Sequence, residues 1–390
     1  MRRHIRKIKT VVVLWRLLKG IARATQYYVL RLIGSTTYPI LGCRVPLRDY
    51  YDRTRDFFRQ TKDGVYIHLQ SSAAAPPSRI SPMPELFAAV LPKARLLHDY
   101  GVIISPDHKL LADVSWEGLE LASKPIDHPV MYEVRLPPVQ YIAGKVAIVS
   151  SLLPDNYYHW MFDILPRFQI LQKAGLSPDY YIVNTTTQFQ KESLQALGIP
   201  SHQILNPRRG THMQADELIV PSLLGPPFRL TPQQSACEYL RSSFLQKSGG
   251  RKRDRALYIS RTDARDRHVI NEAEICEEVA NYGFEVVSLA NMPFLQQVEM
   301  FAEARVIVGP HGAGFANAVF CEPGSALIEL IPRESRNTPA CFARLAGFIG
   351  LEYYSILGID DDLLKTDAVG EDFAVDKAAV RRLLRRVHSA

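Results

Sequence analysis

The chain has 390 residues, 47% of them hydrophobic and 22% charged. That balance excludes wholesale disorder, and 22 glycines with 26 prolines exclude a fibrous repeat. The length predicts two or three domains with cores large enough to stand without staples, and 47 Lys and Arg against 40 Asp and Glu leave a formal charge of +7.

The basic excess is local. Residues 1–34 hold Arg2, Arg3, Arg6, Lys7, Lys9, Arg16, Lys19, Arg23 and Arg31 and no acid; the rest of the chain has 38 basic residues against 40 acidic ones. A near-neutral body argues against nucleic acid as a partner of the whole fold. In the same arm Ile5, Ile8, Val12, Trp15, Leu18, Ala22, Val29 and Leu32 fall near one helical face. The longest apolar run, Val11–Trp15, falls far short of the ~20 residues that span a bilayer. Arg16 also interrupts any signal-peptide core. Two readings stand for the arm: a basic amphipathic segment lying on an anionic membrane surface, or a solvated basic extension. Cys43, Cys237, Cys276, Cys321 and Cys341 are odd in number and contain no CxxC pair. This excludes a disulfide framework and a zinc site, and reads as buried free thiols in a reducing compartment.

Between residues 46 and 140 short apolar runs alternate with prolines; Val65–Leu69 and Val102–Ile104 read as strands, and 71–84 (SSAAAPPSRISPMP) as a linker. Regularity begins near residue 145. Val146–Ser150 reads as a buried strand, 156–174 as a helix interrupted at Pro166, and Tyr180–Val183 as a strand. Lys191–Leu197 reads as a helix capped by Gly198, Glu217–Val220 as a strand, and Thr231–Gln246 as a helix capped by Thr231. The polar, basic Lys247–Arg255 marks the main boundary. Beyond it, strands are expected at Ala256–Ser260, Phe284–Ser288, Arg305–Val308, Ala326–Ile331 and Glu352–Ile356. Helices are expected at Asn271–Asn281, Pro293–Ala304, Gly314–Phe320, Pro339–Phe348 and Val375–Val387. This alternation predicts parallel βαβ units in a doubly wound sheet. The domains are then a basic arm (1–45), an α/β domain with an irregular start (46–247) and a Rossmann-like domain (248–390). The fold class is α/β, with two Rossmann-like domains facing a cleft.

Four segments carry candidate chemistry. In Tyr157–Arg167, His159 and Asp163 are four apart, which on a helix puts an imidazole and a carboxylate on one face: a general base with an orienting partner. Arg261 ends a strand, and Arg265 and Arg267 lie in the loop before a helix, a placement that suits a diphosphate. Val306–Asn317 is strand, glycine-rich turn and helix; Gly312, Ala313 and Gly314 bring backbone N–H groups near an anion, and His311 can donate to it. The spacing is neither GxGxxG nor a Walker loop. Glu329 is the one acid in an apolar strand. It either accepts from ribose hydroxyls or is paired within the fold.

Taken together, HWMFDILPR (159–167), YISR (258–261) with Arg267 and Asn271-Glu272, GPHGAGFAN (309–317) and GSALIEL (324–330) resemble glycosyltransferase family 61 in order and spacing, over about residues 145–360. The resemblance implies a GT-B-like fold. It implies inverting transfer of a sugar from a nucleotide-diphosphate sugar, UDP-sugars foremost, to a hydroxyl of a glycan or lipid-linked glycan, with no metal and no cofactor. Asp360-Asp361-Asp362 lies beyond the core strands and reads as a solvated turn, not as a metal motif. Under this resemblance His159 or Asp163 takes the acceptor proton. Arg261, Arg265, Arg267, His311, Gly312, Ala313, Gly314, Asn317 and Glu329 hold the donor, and Trp160 and Arg167 serve the acceptor side. Without a spanning anchor, the chain looks like a bacterial member of the capsule or exopolysaccharide type, cytoplasmic or peripheral at the inner membrane face. The rivals are a dinucleotide-binding oxidoreductase, which the missing GxGxxG disfavours, and a non-catalytic membrane-surface adaptor, which the His159/Asp163/Arg261/His311 set disfavours.

Overall fold

The computed structural model describes residues 51–52, 64–69, 86–111, 113–115, 130, 136–151, 153–224, 232–245, 253–332, 340–359 and 372–388. The basic arm, the linker 71–84, the capping Thr231, the boundary after residue 247 and the acidic run 360–362 lie outside them. The chain divides into two compact units. The first takes in 1–154, 163–185 and 200–228; the second takes in 155–162, 186–199 and 229–390. Two short stretches from the first half of the sequence therefore count with the second unit.

The first unit is built on a ten-stranded sheet. Its strands are β1 (Tyr51–Asp52), β2 (Val65–Leu69), β3 (Leu86–Pro92), β4 (Arg95–Leu97), β5 (Val102–Ile104), β6 (Leu110–Leu111), β7 (Gln140–Ile148), β8 (Tyr180–Ile182), β9 (Ile204–Leu205) and β10 (His212–Pro221). The path runs β1-β6-β5-β4-β10-β7-β8-β9, with β3 also on β10 and β2 on β3. Strands β10, β7, β8 and β9 are parallel, whereas β3 and β4 join β10 antiparallel. The sheet is therefore mixed: the Rossmann-like part expected here is the parallel β10-β7-β8-β9 set, and the irregular start expected from residue 46 supplies the antiparallel strands. Among these is β3: LFAAVLP is an apolar run buried at its five central positions, and its flanking prolines hide it in the sequence. Leu91, Leu96, Val146, Ile148, Leu218 and Val220 form the core, each contributing about 1.5–3 kcal/mol by burial. Strand β7 begins at Gln140, before the expected Val146, because its first residues alternate in exposure and only its end is fully buried.

The helical run from Tyr157 changes register midway. The first turn, α1 (Tyr157–His159), is capped by the Asn156 side chain, which accepts from the Tyr158 and His159 N–H groups at 3.0 and 3.4 Å. A π-helical stretch follows at Trp160–Ile164, then α2 (Leu165–Lys173). The interruption expected at Pro166 thus falls before it. Proline has no N–H to donate, so it fits the first turn of α2, where that donor is not needed.

The second unit has a five-stranded, wholly parallel sheet: β11 (Arg255–Ile259), β12 (Glu285–Val287), β13 (Ala304–Pro310), β14 (Ala326–Ile331) and β15 (Glu352–Leu357). The order β12-β11-β13-β14-β15 is the doubly wound 2-1-3-4-5 arrangement. Its helices are α3 (Gln188–Ala196), α4 (Gln234–Phe244), α5 (Glu272–Ala280), α6 (Phe294–Ala302), α7 (Cys341–Ile349) and α8 (Lys377–His388). Helix α3 starts earlier than expected because the Gln190 side chain accepts from the Thr187 N–H at 2.8 Å. It is followed by Gly198 in the left-handed region, φ 76°. Helix α6 has no side-chain cap of its own; the Glu192 carboxylate of α3 accepts from the Phe294 N–H at 2.6 Å. The turn after β13 leads into a 3-10 helix, Ala313–Phe320, in place of the expected α-helix. Tyr258, Val306, Val308, Ile328 and Leu330 pack with Phe373 and Leu384 into the core. Cys237, Cys321 and Cys341 are buried free thiols.

No helix among the described residues is long and apolar enough to cross a membrane.

Candidate active site

Strand β11 lies between β12 and β13, so the chain leaves its carboxyl end toward one neighbour and reaches the other by a crossover. Such a switch point opens a crevice beyond the strand ends, where doubly wound folds bind ligands. A cavity of about 480 Å³ opens there within the second unit. Ile259, Ser260 and Arg261 bring it the end of β11, Leu289–Pro293 the loop after β12, and Pro310, Gly312 and Gly314 the turn after β13. Tyr157 and the α3 residues Gln188, Phe189 and Glu192 form the facing wall.

Arg261 is the cation of this cavity. One amino group donates to the Asp266 carbonyl at 3.0 Å and to its carboxylate at 3.2 Å. Its Nε is buried without a hydrogen-bond partner among the described residues. Burial holds the Arg261 pKa below its usual value, and the nearby charge of Arg267 pushes it the same way. The carboxylates of Asp266 and Asp263 oppose both effects, so the guanidinium stays a cation on the cavity wall. Arg267 is half-buried, with its Nε 3.7 Å from Asp266, and sits in the left-handed region at φ 60°, a rare conformation for a residue with a side chain. Arg265 is exposed and is absent from the cavity wall.

Gly312 explains how Arg261 reaches its place. A Cβ built on Gly312 would lie 1.9 Å from one Arg261 amino nitrogen and 2.9 Å from the guanidinium carbon. The guanidinium therefore rests directly on the glycine backbone. The Gly312→Ala variant should fold, because its extended backbone suits any residue, but it should displace Arg261. We expect nucleoside diphosphate affinity to fall about tenfold or more by calorimetry, the size of one lost charge-assisted hydrogen bond, with little change in melting temperature. Gly314 lines the cavity as well, and Ala313 begins the 3-10 helix, whose leading N–H groups lack intrahelical partners.

Other expected donor residues are engaged inside the fold. Asn317 is fully buried. Its amide donates to Gln297 at 2.8 Å and to the Gly314 carbonyl at 3.3 Å, and its oxygen accepts from the Tyr157 hydroxyl at 2.6 Å. Gln297 in turn donates to the Leu289 and Met292 carbonyls at 3.1 and 2.9 Å. Asn317 therefore ties the 289–293 loop, α6 and Tyr157 together from behind the cavity wall. Burial raises the Tyr157 pKa, which keeps the phenol protonated as the donor to Asn317. Glu329 is paired on both oxygens: one meets His311 Nδ1, and the other accepts from the Tyr353 hydroxyl at 2.5 Å. It is 2% exposed and is not part of the cavity wall. Of its two readings, the paired one is what the fold contains. The pair orients the His311 ring, which packs against Phe342; His311 itself is buried beside the cavity-lining Pro310 and Gly312.

The expected acceptor-side pair is also buried. Trp160 has no exposed surface and donates its indole N–H to Ser193 at 2.9 Å. Arg167, in the first unit, is 2% exposed and donates to the Ser150 and Pro221 carbonyls at 2.9 and 2.8 Å. Burial pulls its pKa down to about 9, opposed by the nearby Asp163 carboxylate. Trp160 spends its one polar atom on Ser193, and Arg167 spends both amino groups on carbonyls, while the Arg167 Nε is buried without a hydrogen-bond partner among the described residues. His159 and Asp163 are half-buried; His159 belongs to the second unit and Asp163 to the first.

Sequence reasoning did not single out Phe189, Gln188, Glu192, Asp263, Leu289, Met292 or Gln297. The capping glutamine at 190 marks where α3 starts, but nothing local says that its first turn faces a cavity. Among the described residues no group of three or more His, Cys, Asp or Glu side chains is placed to hold a metal.

A parallel 2-1-3-4-5 sheet with an arginine and a glycine turn at its switch point is a doubly wound α/β domain whose cavity lies where such folds bind ligands. Residues 157–328 match the Glycosyltransferase 61 family model. That stretch holds β11–β13, the glycine turn and the whole cavity wall. The chain is also similar to the EGF domain-specific O-linked N-acetylglucosamine transferase of Drosophila melanogaster. The two are 30% identical over 102 residues, which is 25% of this chain and 19% of that protein.

Proposed function

We propose that this protein is an inverting glycosyltransferase that moves a sugar from a nucleotide-diphosphate sugar, UDP-sugars foremost, to a hydroxyl of a glycan or lipid-linked glycan. The observation that carries this reading is the Arg261 guanidinium seated on Gly312 at the switch point, with an unpartnered buried donor at the cavity edge. The diphosphate lies against Arg261 and the N–H groups at Gly312–Gly314, and Arg267 adds positive field. As the glycosidic bond breaks, negative charge grows on the leaving diphosphate, and these preorganised donors stabilise it. They supply the field that a metal provides in other transferases, so the reaction we propose needs none. The acceptor hydroxyl attacks in a single displacement while His159 or Asp163 takes its proton. The GT-B-like architecture and a membrane-surface role for residues 1–34, with a polysaccharide or lipid-linked acceptor at the inner face, belong to the same proposal.

The test is a thermal-shift comparison of UDP with NAD, followed by a panel of nucleotide sugars screened for slow hydrolysis. A ligand at a hundred times its Kd adds about 2.7 kcal/mol of stability, so UDP should raise the melting temperature by several degrees and NAD should not. Stabilisation by NAD alone would replace this reading with the oxidoreductase one. The His159→Ala and Asp163→Asn variants identify the base: the one that loses turnover while keeping donor affinity carried the proton.

A further inference from the structure

In dinucleotide-binding Rossmann folds an acidic residue at the end of the second strand accepts from the ribose hydroxyls. Here β12 occupies that position, and it ends at Val287. The residues that follow, Ser288 to Pro293, include no acid. A carboxylate reaches the same place from another direction. Asp263, in the loop after β11, turns one oxygen, Oδ2, onto the Ser288 hydroxyl and the Ala290 N–H, the latter at 3.4 Å. Its Oδ1 has no hydrogen-bond partner among the described residues, and Asp263 lines the cavity. The second carboxylate on the wall, Glu192, already has one donor on each oxygen, the Phe294 N–H at 2.6 Å and the Gln188 amide at 2.9 Å. Glu329, expected from the sequence as the ribose acceptor, is held by His311 and Tyr353. Asp263 is exposed on the cavity wall and, of the two wall carboxylates, has the oxygen without a donor from the described residues, with its partner oxygen anchored on Ser288 and Ala290.

We propose that Asp263 recognises the ribose hydroxyls of the donor nucleotide and sets the preference of the site for ribonucleotides. This rests on the nucleotide reading above. An ionised carboxylate only accepts, so it pairs with a diol and repels phosphate. Arg261, two residues earlier, takes the diphosphate. The cation and the acid therefore fix two parts of one ligand from a single loop.

Calorimetry with UDP, 2′-deoxy-UDP and 3′-deoxy-UDP tests this on the wild-type protein and on the Asp263→Ala and Asp263→Asn variants. The wild type should bind UDP about tenfold or more tightly than at least one deoxy analogue, the size of a hydrogen bond to a charged group. In both variants that ratio should shrink to within about threefold. Loosening of the loop would weaken all three ligands together and leave the ratio unchanged, so the ratio separates recognition from general damage. Variants that bind UDP but keep the wild-type ratio overturn the role of Asp263 alone. If the wild type binds none of the three, the nucleotide reading and the role of Asp263 both fall.

Discussion

Exchanging Arg261 for lysine is expected to weaken nucleoside diphosphate binding by about tenfold to a hundredfold. Lysine keeps the charge, so a site that needed only positive field would tolerate it. The geometry asks for more. The guanidinium sets one amino nitrogen against Gly312, keeps the other on Asp266 and leaves Nε as an unpartnered buried donor. A lysine ammonium is a compact point charge without this fork, and it is more strongly hydrated. It either stays on Asp266, losing the ligand, or turns to the ligand, releasing the loop. A hydrogen bond to a charged group contributes about 1.5–3 kcal/mol, and one or two are lost. Calorimetric affinity for UDP is the measurement; an unchanged value would remove Arg261 from the donor site. The melting temperature without ligand should move little, because Arg261 lies at the cavity edge.

The second large effect concerns stability. The Asn317→Ala variant should lose about 1–3 kcal/mol, because truncation leaves the buried Gln297 carbonyl without its donor and takes the acceptor from the half-buried Tyr157 hydroxyl. For a chain of this size that corresponds to a fall of several degrees in melting temperature. Gln297 holds the Leu289 and Met292 carbonyls, so the cavity wall should loosen as well. Donor affinity should then fall as a consequence of wall disorder. Saturating UDP should recover part of the lost stability. If Asn317 instead contacted the donor directly, its loss would cut affinity while leaving the ligand-free melting temperature unchanged. The two outcomes separate an anchoring asparagine from a binding one.

Much of the second unit was legible along the chain. Strand β14 matches its expected span from end to end. Short buried parallel strands are continuous apolar runs, and that signal is local. The register change at Trp160–Ile164 was not legible, because periodicity does not distinguish a π turn from an α turn over so few residues. Strand β3 was hidden because its pairing partner, β10, lies more than a hundred residues away. The chemistry of Arg261, Gly312 and Gly314 could be read from an arginine and glycines at strand ends. The fate of Asn317, Glu329, Trp160 and Arg167 could not, since a polar side chain in a motif looks the same whether it faces a ligand or a neighbour.

By itself, the sequence determined the alternation of strands and helices, the concentration of positive charge in the first 34 residues, and the arginine and glycine turn that end β11 and β13. Those features follow from local composition and period. Only the tertiary structure decided which polar groups remain available. Tyr157 and Asn317 meet across 160 positions, and His311 takes one oxygen of Glu329 while Tyr353 takes the other. Most buried polar atoms find a partner, and a group that the fold satisfies has less to offer a ligand. Arg167 and Arg261 each keep a buried Nε without a partner among the described residues, and of the two only Arg261 is on the cavity wall, together with Asp263.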